Sequence, residues 1–277
     1  MRKRLRTKPT TTNFYYSFLF LSRQKRTALE AVYAFARRGD DIVDGGLAPE
    51  QTREEIARYR RDLEECYQGR APTPELAALA DSVQRYHIPR QHFEELICGF
   101  EMDLVTPLYR TFEELAVYCH RVAGTIGLIS IEIFGYQNPR TRDYAVNLGT
   151  ALQLVNIMRD IQSDGERGRI YIPQEDLEQF GLRPVDLMAR RYGDSFIELM
   201  QFEYDRACHY FDLARQMLPP EDRRALIAAE IMGAIYWRLL KCIQQRCYNV
   251  FGKRVRLSRS LKLWTALSVY LGAEWHK

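Results

Sequence analysis

The sequence predicts an all-α protein, and three observations carry that prediction. Apolar residues recur at helical spacing along most of the chain. Proline, glycine and capping signals separate the segments so marked. No run alternates as strands do, and neither a GxGxxG fingerprint nor a Walker loop occurs.

The elements follow in order. Residues 24–39 set Leu29, Val32, Tyr33 and Phe35/Ala36 on one stripe, and Gly39 marks a break. Residues 51–68 mix charged and apolar side chains as a surface helix does. Residues 69–74, GRAPTP, read as a loop. Helices at 75–87 and 91–104 flank Ile88 and Pro89. Thr111 and Glu114 form a capping-box pattern that opens another helix. That helix runs into residues 122–127, VAGTIG, whose small side chains permit close helix contact or a kink. A long helix covers 142–164 and a turn-rich loop 165–173. Two more long helices, 195–217 and 222–248, flank Pro219 and Pro220. The apolar, aromatic stretch 261–275, LKLWTALSVYLGAEW, suits core packing, with lipid contact as the other reading.

Composition excludes several function classes. A chain of 277 residues with 46% hydrophobic and 27% charged residues is long enough for one large core, read as a single domain over 1–277. The net charge of +4 is exceeded by Arg2, Lys3, Arg4, Arg6 and Lys8 alone. The rest is near neutral, so nucleic acid is not an expected partner. Residues 1–10 read as a flexible basic end, with an anionic membrane contact as the alternative. Six scattered cysteines form no CxxC and no zinc spacing, and read as reduced core residues of a cytoplasmic protein. Neither a secretory leader nor an 18-residue apolar run is apparent. The expected location is the cytoplasm, with peripheral attachment to the inner membrane face as an option.

The chemistry lies in a pattern that occurs twice. Asp40 and Asp44 form one DxxxD, Asp160 and Asp164 another. On a helix, residues four apart are stacked neighbours, and two carboxylates so placed repel unless a cation attends them. One such pair alone is ordinary surface charge. Here each pair follows an apolar helical segment and has arginine close upstream: Arg37 and Arg38, then Arg159. Asn156, one turn before Asp160, adds an oxygen ligand on the same face. Magnesium takes carboxylate and phosphate oxygens together, and arginine suits phosphate. The repeat therefore reads as a metal–diphosphate site.

At these residues the chain resembles the squalene/phytoene synthases. The resemblance spans roughly residues 11–264 and rests on FYYSF at 14–18, VYAFAR at 32–37, DDIVD at 40–44, YCHRVAGTIG at 118–127, QLVNIMRD at 153–160 with Asp164, and RIYIP at 169–173. It implies the isoprenoid synthase fold, a single all-α domain of eleven to thirteen helices around a deep central cavity. It implies metal-binding roles for Asp40, Asp44, Asn156, Asp160 and Asp164. It places Tyr33, Arg37, Gln153, Arg159, Tyr171, Tyr236 and Arg254 at or near the diphosphates, and Tyr118 on the central wall. Phe14 and Phe18 match aromatics at the prenyl end.

The resemblance implies a magnesium-dependent prenyltransferase that joins two isoprenoid diphosphates head to head. FYYSFLFL at 14–21, GFEMDL at 99–104 and RVAGTIGLISIEIFGY at 121–136 are most similar to bacterial presqualene diphosphate synthases of hopanoid pathways. Two farnesyl diphosphates would then give presqualene diphosphate, with NADPH not required. Phytoene synthesis from geranylgeranyl diphosphate is the alternative. A non-catalytic assembly protein of the same fold is the third reading, opposed by the presence of all four paired aspartates. Downstream isoprenoid enzymes are further candidate partners.

Some positions depart from the pattern. Thr11 and Asn13 stand where relatives have serines, and Gln162-Ser163 where they often have Gly-Glu. Glu101 and Asp103, two residues apart, point to different helix faces and read as structural or supporting. None of the five histidines pairs with a nucleophile motif; His120 reads as a packed or surface residue.

Overall fold

A computed structural model describes residues 13–105 and 108–275. The basic segment 1–10 and Thr11 fall outside the described residues, as do the side chains of Asn13 and Phe14. The described residues form thirteen α-helices, and the only strand-like pairing among them is one bridge, Leu108 to Ile170.

The first helices build one wall. α1 (Asn13–Phe18) is a single turn and a half. α2 (Arg23–Val43) starts at the Ser22 cap, whose hydroxyl accepts from the Lys25 amide, and buries Leu29, Val32, Phe35 and Ile42. It does not break at Gly39. The glycine is there because a Cβ would overlap the Phe100 ring. α3 (Pro49–Tyr67) starts with proline in its first turn and buries Tyr59, whose ring stacks on Phe35 at 4.2 Å and whose hydroxyl donates to the Phe35 carbonyl at 2.6 Å. α4 (Ala77–Arg85) follows a 3₁₀ turn, and α5 (Arg90–Val105) packs on α2.

α6 (Phe112–Cys119) starts at Thr111, which caps the Glu114 amide. Glu114 completes only part of the box, since it accepts from the Arg110 amide instead of that of Thr111. A π-helical turn, His120–Gly124, then joins α6 to α7 (Thr125–Phe134). The close helix contact expected of the small residues occurs. A Cβ on Gly127 would lie 2.5 Å from the Ala145 carbonyl oxygen, and one on Gly149 would lie 2.6 Å from that of Ala123. Phe112–Phe134 is long and apolar enough to cross a bilayer, contrary to the sequence reading, but half of it is buried inside the molecule, as in a core helix.

α8 (Thr141–Gly165) is the central helix and packs on α6, α7 and most extensively on α11 (Asp194–Met217). Between them lie the short helices α9 (Gln174–Gln179) and α10 (Pro184–Met188), too brief to leave a period in the sequence. α12 (Ile227–Gln245) starts five residues later than expected. Asp222 is a tether instead of a helix residue: its buried carboxylate accepts from the amides of Gln137 and Asn138 and from the Thr141 hydroxyl, at 2.6–3.0 Å. α13 (Arg259–Tyr270) splits the 261–275 stretch between core and surface. Thr265, Ala266 and Val269 are buried; Leu263, Trp264 and Leu271 are exposed. Cys66 and Cys119 are buried as expected, and Cys98, Cys208 and Cys242 half-buried; Cys247 is exposed, so not every cysteine belongs to the core.

Candidate active site

A cavity of about 470 Å³ opens between α1, α2, α5, the α6–α7 helix, α8 and α12. Its inner walls are apolar, with Leu29, Val32, Phe100, Ile126, Leu152 and Met232 among the lining residues. Its other lining residues include Asp40, Asp44, Asp103, Asp160 and Asp164 with Arg37, Arg159, Arg167 and Arg169. One container thus holds greasy walls and a dense charged cluster.

Helix geometry makes the carboxylates want cations. Asp40 lies in the last turn of α2 and Asp44 is its C-cap; Asp160 and Asp164 close α8. The negative end of a helix dipole disfavours anions there. Burial pushes the Asp40 carboxyl up to about 7, against Arg37 and aided by Asp44 and Asp103. Burial likewise pushes Asp164 up to about 7, aided by Asp160 and opposed by Arg167 and Arg169. Asp160 differs. Burial would raise it, but the Arg159 and Arg254 guanidiniums, with Nε atoms at 2.9 and 2.7 Å, hold it below the ordinary carboxylate range. Arg169 donates to Asp44 at 2.7 Å and so ties the loop after α8 to the end of α2.

Asp103 lines the same cavity as the two pairs, and its charge helps to raise both Asp40 and Asp164. Tyr171 donates to its Oδ1 at 2.7 Å, and the Tyr118 hydroxyl lies 3.2 Å from Oδ2 and 3.3 Å from the Tyr171 hydroxyl. The two rings stack at 5.1 Å. Burial raises Asp103 and both tyrosines above their ordinary values.

The residues present fit a hard divalent ion. Asn156 donates from Nδ2 to Gln153 at 3.2 Å, yet its buried Oδ1 has no partner among the described residues. An amide oxygen left unsatisfied beside buried carboxylates is an oxygen ligand in waiting. No three acidic, His or Cys side chains among the described residues converge enough to hold an ion alone, so phosphate oxygens would complete the set.

The comparisons decide the family. The family model for squalene/phytoene synthase matches residues 7–260. The chain belongs to the squalene/phytoene synthase family. The phytoene synthase of Mycobacterium tuberculosis is 40% identical over 255 residues, covering 91% of this chain and 84% of that protein. The 15-cis-phytoene synthase of Synechocystis is 36% identical over 274 residues, covering 95% and 80%. Among solved structures, the squalene synthase HpnC of Alicyclobacillus acidocaldarius superposes with a TM-score of 0.76 at 33% identity, covering 86% of this chain and 89% of that one. A dehydrosqualene synthase in complex with ligand superposes with a TM-score of 0.83 at 25% identity, covering 94% and 90%. These neighbours share the isoprenoid synthase fold, and the family is one of prenyltransferase-type enzymes acting on diphosphate substrates.

In this squalene/phytoene synthase family member, most residues singled out by the resemblance converge. Phe18, Tyr33, Arg37, Asp40, Asp44, Tyr118, Gln153, Asn156, Arg159, Asp160, Asp164, Tyr171 and Tyr236 all line the cavity. Arg254 does not line it but reaches Asp160 from outside. Phe14 lies in α1 with its side chain outside the described residues. Arg38 leaves the site: it faces Asp62 at 2.6 Å and sits over the Tyr59 ring. Glu101 turns away to a bidentate bond with Arg60, while Asp103 turns in. The spacing of two separated these faces correctly but did not say which faced the cavity. Arg169 stood in the sequence only as part of RIYIP.

Proposed function

We propose that this protein condenses two allylic isoprenoid diphosphates head to head, and that farnesyl diphosphate gives presqualene diphosphate. The observation that carries the reading is the union of both carboxylate pairs and several arginines with an apolar cavity of about 470 Å³. Asp40, Asp44, Asn156, Asp160 and Asp164 would hold magnesium ions together with substrate phosphates. When bound, magnesium supplies charge neutralisation for the departing diphosphate.

The chain's own residues do the rest. Arg37, Arg159 and Arg169, with Arg254, supply guanidinium donors for the diphosphates once these displace the carboxylates they now face. Gln153 and Tyr236 border the same place. The apolar walls shield the allylic cation left when the first carbon–oxygen bond breaks. The stacked faces of Tyr118 and Tyr171 offer it π density. The second substrate's double bond attacks that cation. Loss of one proton closes the cyclopropane, so two substrates yield one C30 diphosphate, one diphosphate and one proton. Asp103 fixes the two tyrosine hydroxyls beside this path. No reductant enters the balance, so NADPH is not required. A product so apolar suits direct transfer to a later isoprenoid enzyme.

A second reading, phytoene synthesis from the C20 diphosphate, is favoured by the 40% identity to a phytoene synthase. One assay separates them: purified protein, magnesium, labelled C15 or C20 diphosphate, with and without NADPH, products read by mass. A C30 diphosphate from C15 supports the proposal. Squalene formed only with NADPH indicates a full squalene synthase. A C40 hydrocarbon from C20, with C15 refused, establishes the second reading. No product from either substrate leaves the fold without the proposed activity.

A further inference from the structure

Among the described residues, the outer face of α13 is left largely in solvent, with Tyr270 alone of its large apolar side chains stacked on another ring, that of Phe20. Leu263, Trp264, Leu267, Tyr270 and Leu271 recur at helical spacing on one side and are between 40% and 74% exposed. Arg259 and Ser260 begin the same stripe and are exposed. Five large apolar side chains in one exposed row exceed the scattered single residues of an ordinary surface.

Cations outnumber acids along the chain around this stripe, where the exposed Glu274 is the first acid after α13. From residue 231 to residue 273 the chain contains eight Lys or Arg and no Asp or Glu. Lys253, Arg256 and Arg259 are exposed, and none is bonded to an acid among the described residues. Lys262, also on α13, points inward, with its ammonium over the Tyr16 ring. The helix is tied to the cavity wall: Tyr270 stacks on Phe20 at 4.4 Å, two residues beyond Phe18, which lines the cavity.

We infer that this face of α13 docks on an anionic lipid surface. Tryptophan, tyrosine and leucine on one side of a helix, with arginine at its border, is a composition that lies in a membrane interface. Apolar burial and attraction to acidic headgroups then act together. A second copy of this chain is the poorer occupant, because a two-fold contact sets the same unpaired cations against each other. The inference concerns a partner and does not depend on which prenyl substrate is used. Docking here sets the α1 side of the cavity, where Phe18 lies, beside the bilayer.

The test uses the full chain and sedimentation with phosphatidylcholine vesicles, with and without phosphatidylglycerol. Wild type should bind the acidic vesicles, bind neutral ones weakly, and release at high salt as screening sets in. Trp264→Ser with Leu267→Ser, and separately Arg256→Glu with Arg259→Glu, should each weaken binding about tenfold or more. Val105→Ser, at an exposed apolar site on another helix, should not. Melting temperatures should stay within roughly 2 °C of wild type, since the altered side chains are exposed. Absence of wild-type binding to acidic vesicles overturns the inference, as does binding that both double variants retain. Light scattering that shows a dimer broken by these same changes assigns the face to a second copy and equally overturns it.

Discussion

Asp40 and Asp164 carry the clearest residue-scale consequence. Both are raised by burial to about 7 from an ordinary 3.8. Between those values the native state holds protons that the unfolded chain has lost. Stability of the metal-free protein therefore falls as pH rises through that window. His92 opposes this in part: burial lowers it to about 4 from 6.5, so across that range its contribution rises with pH. Asp40→Asn removes the Asp40 contribution and leaves His92 alone. In the presence of chelator it should raise the melting temperature at pH 8 and far less at pH 5, while turnover falls by orders of magnitude. Equal gains at both pH values would show that ionisation of Asp40 is not the cause. Asp103 supports a second prediction. Asp103→Asn weakens the acceptor shared by Tyr118 and Tyr171, and should lower kcat and move the pH–rate profile more than it changes KM. Glu101→Gln touches only Arg60 and should leave both near wild type. Steady-state kinetics on the two variants checks this; matching losses would count against the tyrosine network.

At the scale of elements, close packing of α8 against the π turn and α7 sets the shape of the cavity wall. Gly149 meets backbone on the facing segment: a Cβ would lie 2.6 Å from the Ala123 carbonyl oxygen and 2.9 Å from the Gly124 nitrogen. Neither atom belongs to a side chain that can turn aside. Gly149→Ala should therefore cost about 1–3 kcal/mol in urea unfolding, the range for overpacking a tight core. The three atoms nearest a Cβ on Gly39 all belong to the Phe100 ring, so the cost of Gly39→Ala should be partly recovered by Phe100→Leu. If the double variant is no more stable than Gly39→Ala alone, the ring is not the obstacle. The long helices were legible because α2, α3, α8 and α11 each repeat the helical period over nineteen residues or more. α9 and α10, at six and five residues, are too short to show one. The start of α12 was misplaced because Asp222 resembles a helix residue locally, while its three hydrogen bonds go to residues 137–141, far back in sequence.

The whole molecule is a helical shell whose acidic interior is incompletely neutralised by its own arginines. Magnesium with inorganic diphosphate should supply the missing charge and raise the melting temperature, more at pH 8 than at pH 6, where part of the Asp40 and Asp164 population is protonated. Magnesium alone should do much less, because the protein ligands need phosphate oxygens to complete them. Differential scanning calorimetry measures this. An identical shift with magnesium alone would mean that the side chains suffice by themselves. The sequence by itself determined the all-helical class, both DxxxD pairs with Asn156, and the family motifs, because period, spacing and residue type are local properties. Only the tertiary structure decided that Asp103 turns into the cavity while Glu101 turns to Arg60, and that Arg169 meets Asp44 across 125 positions. It also decided that Arg38 leaves the site for Asp62, and that one face of α13 remains in solvent. Those outcomes depend on which helix face meets which neighbour, and that follows from packing of segments far apart in the chain, where no spacing rule reaches.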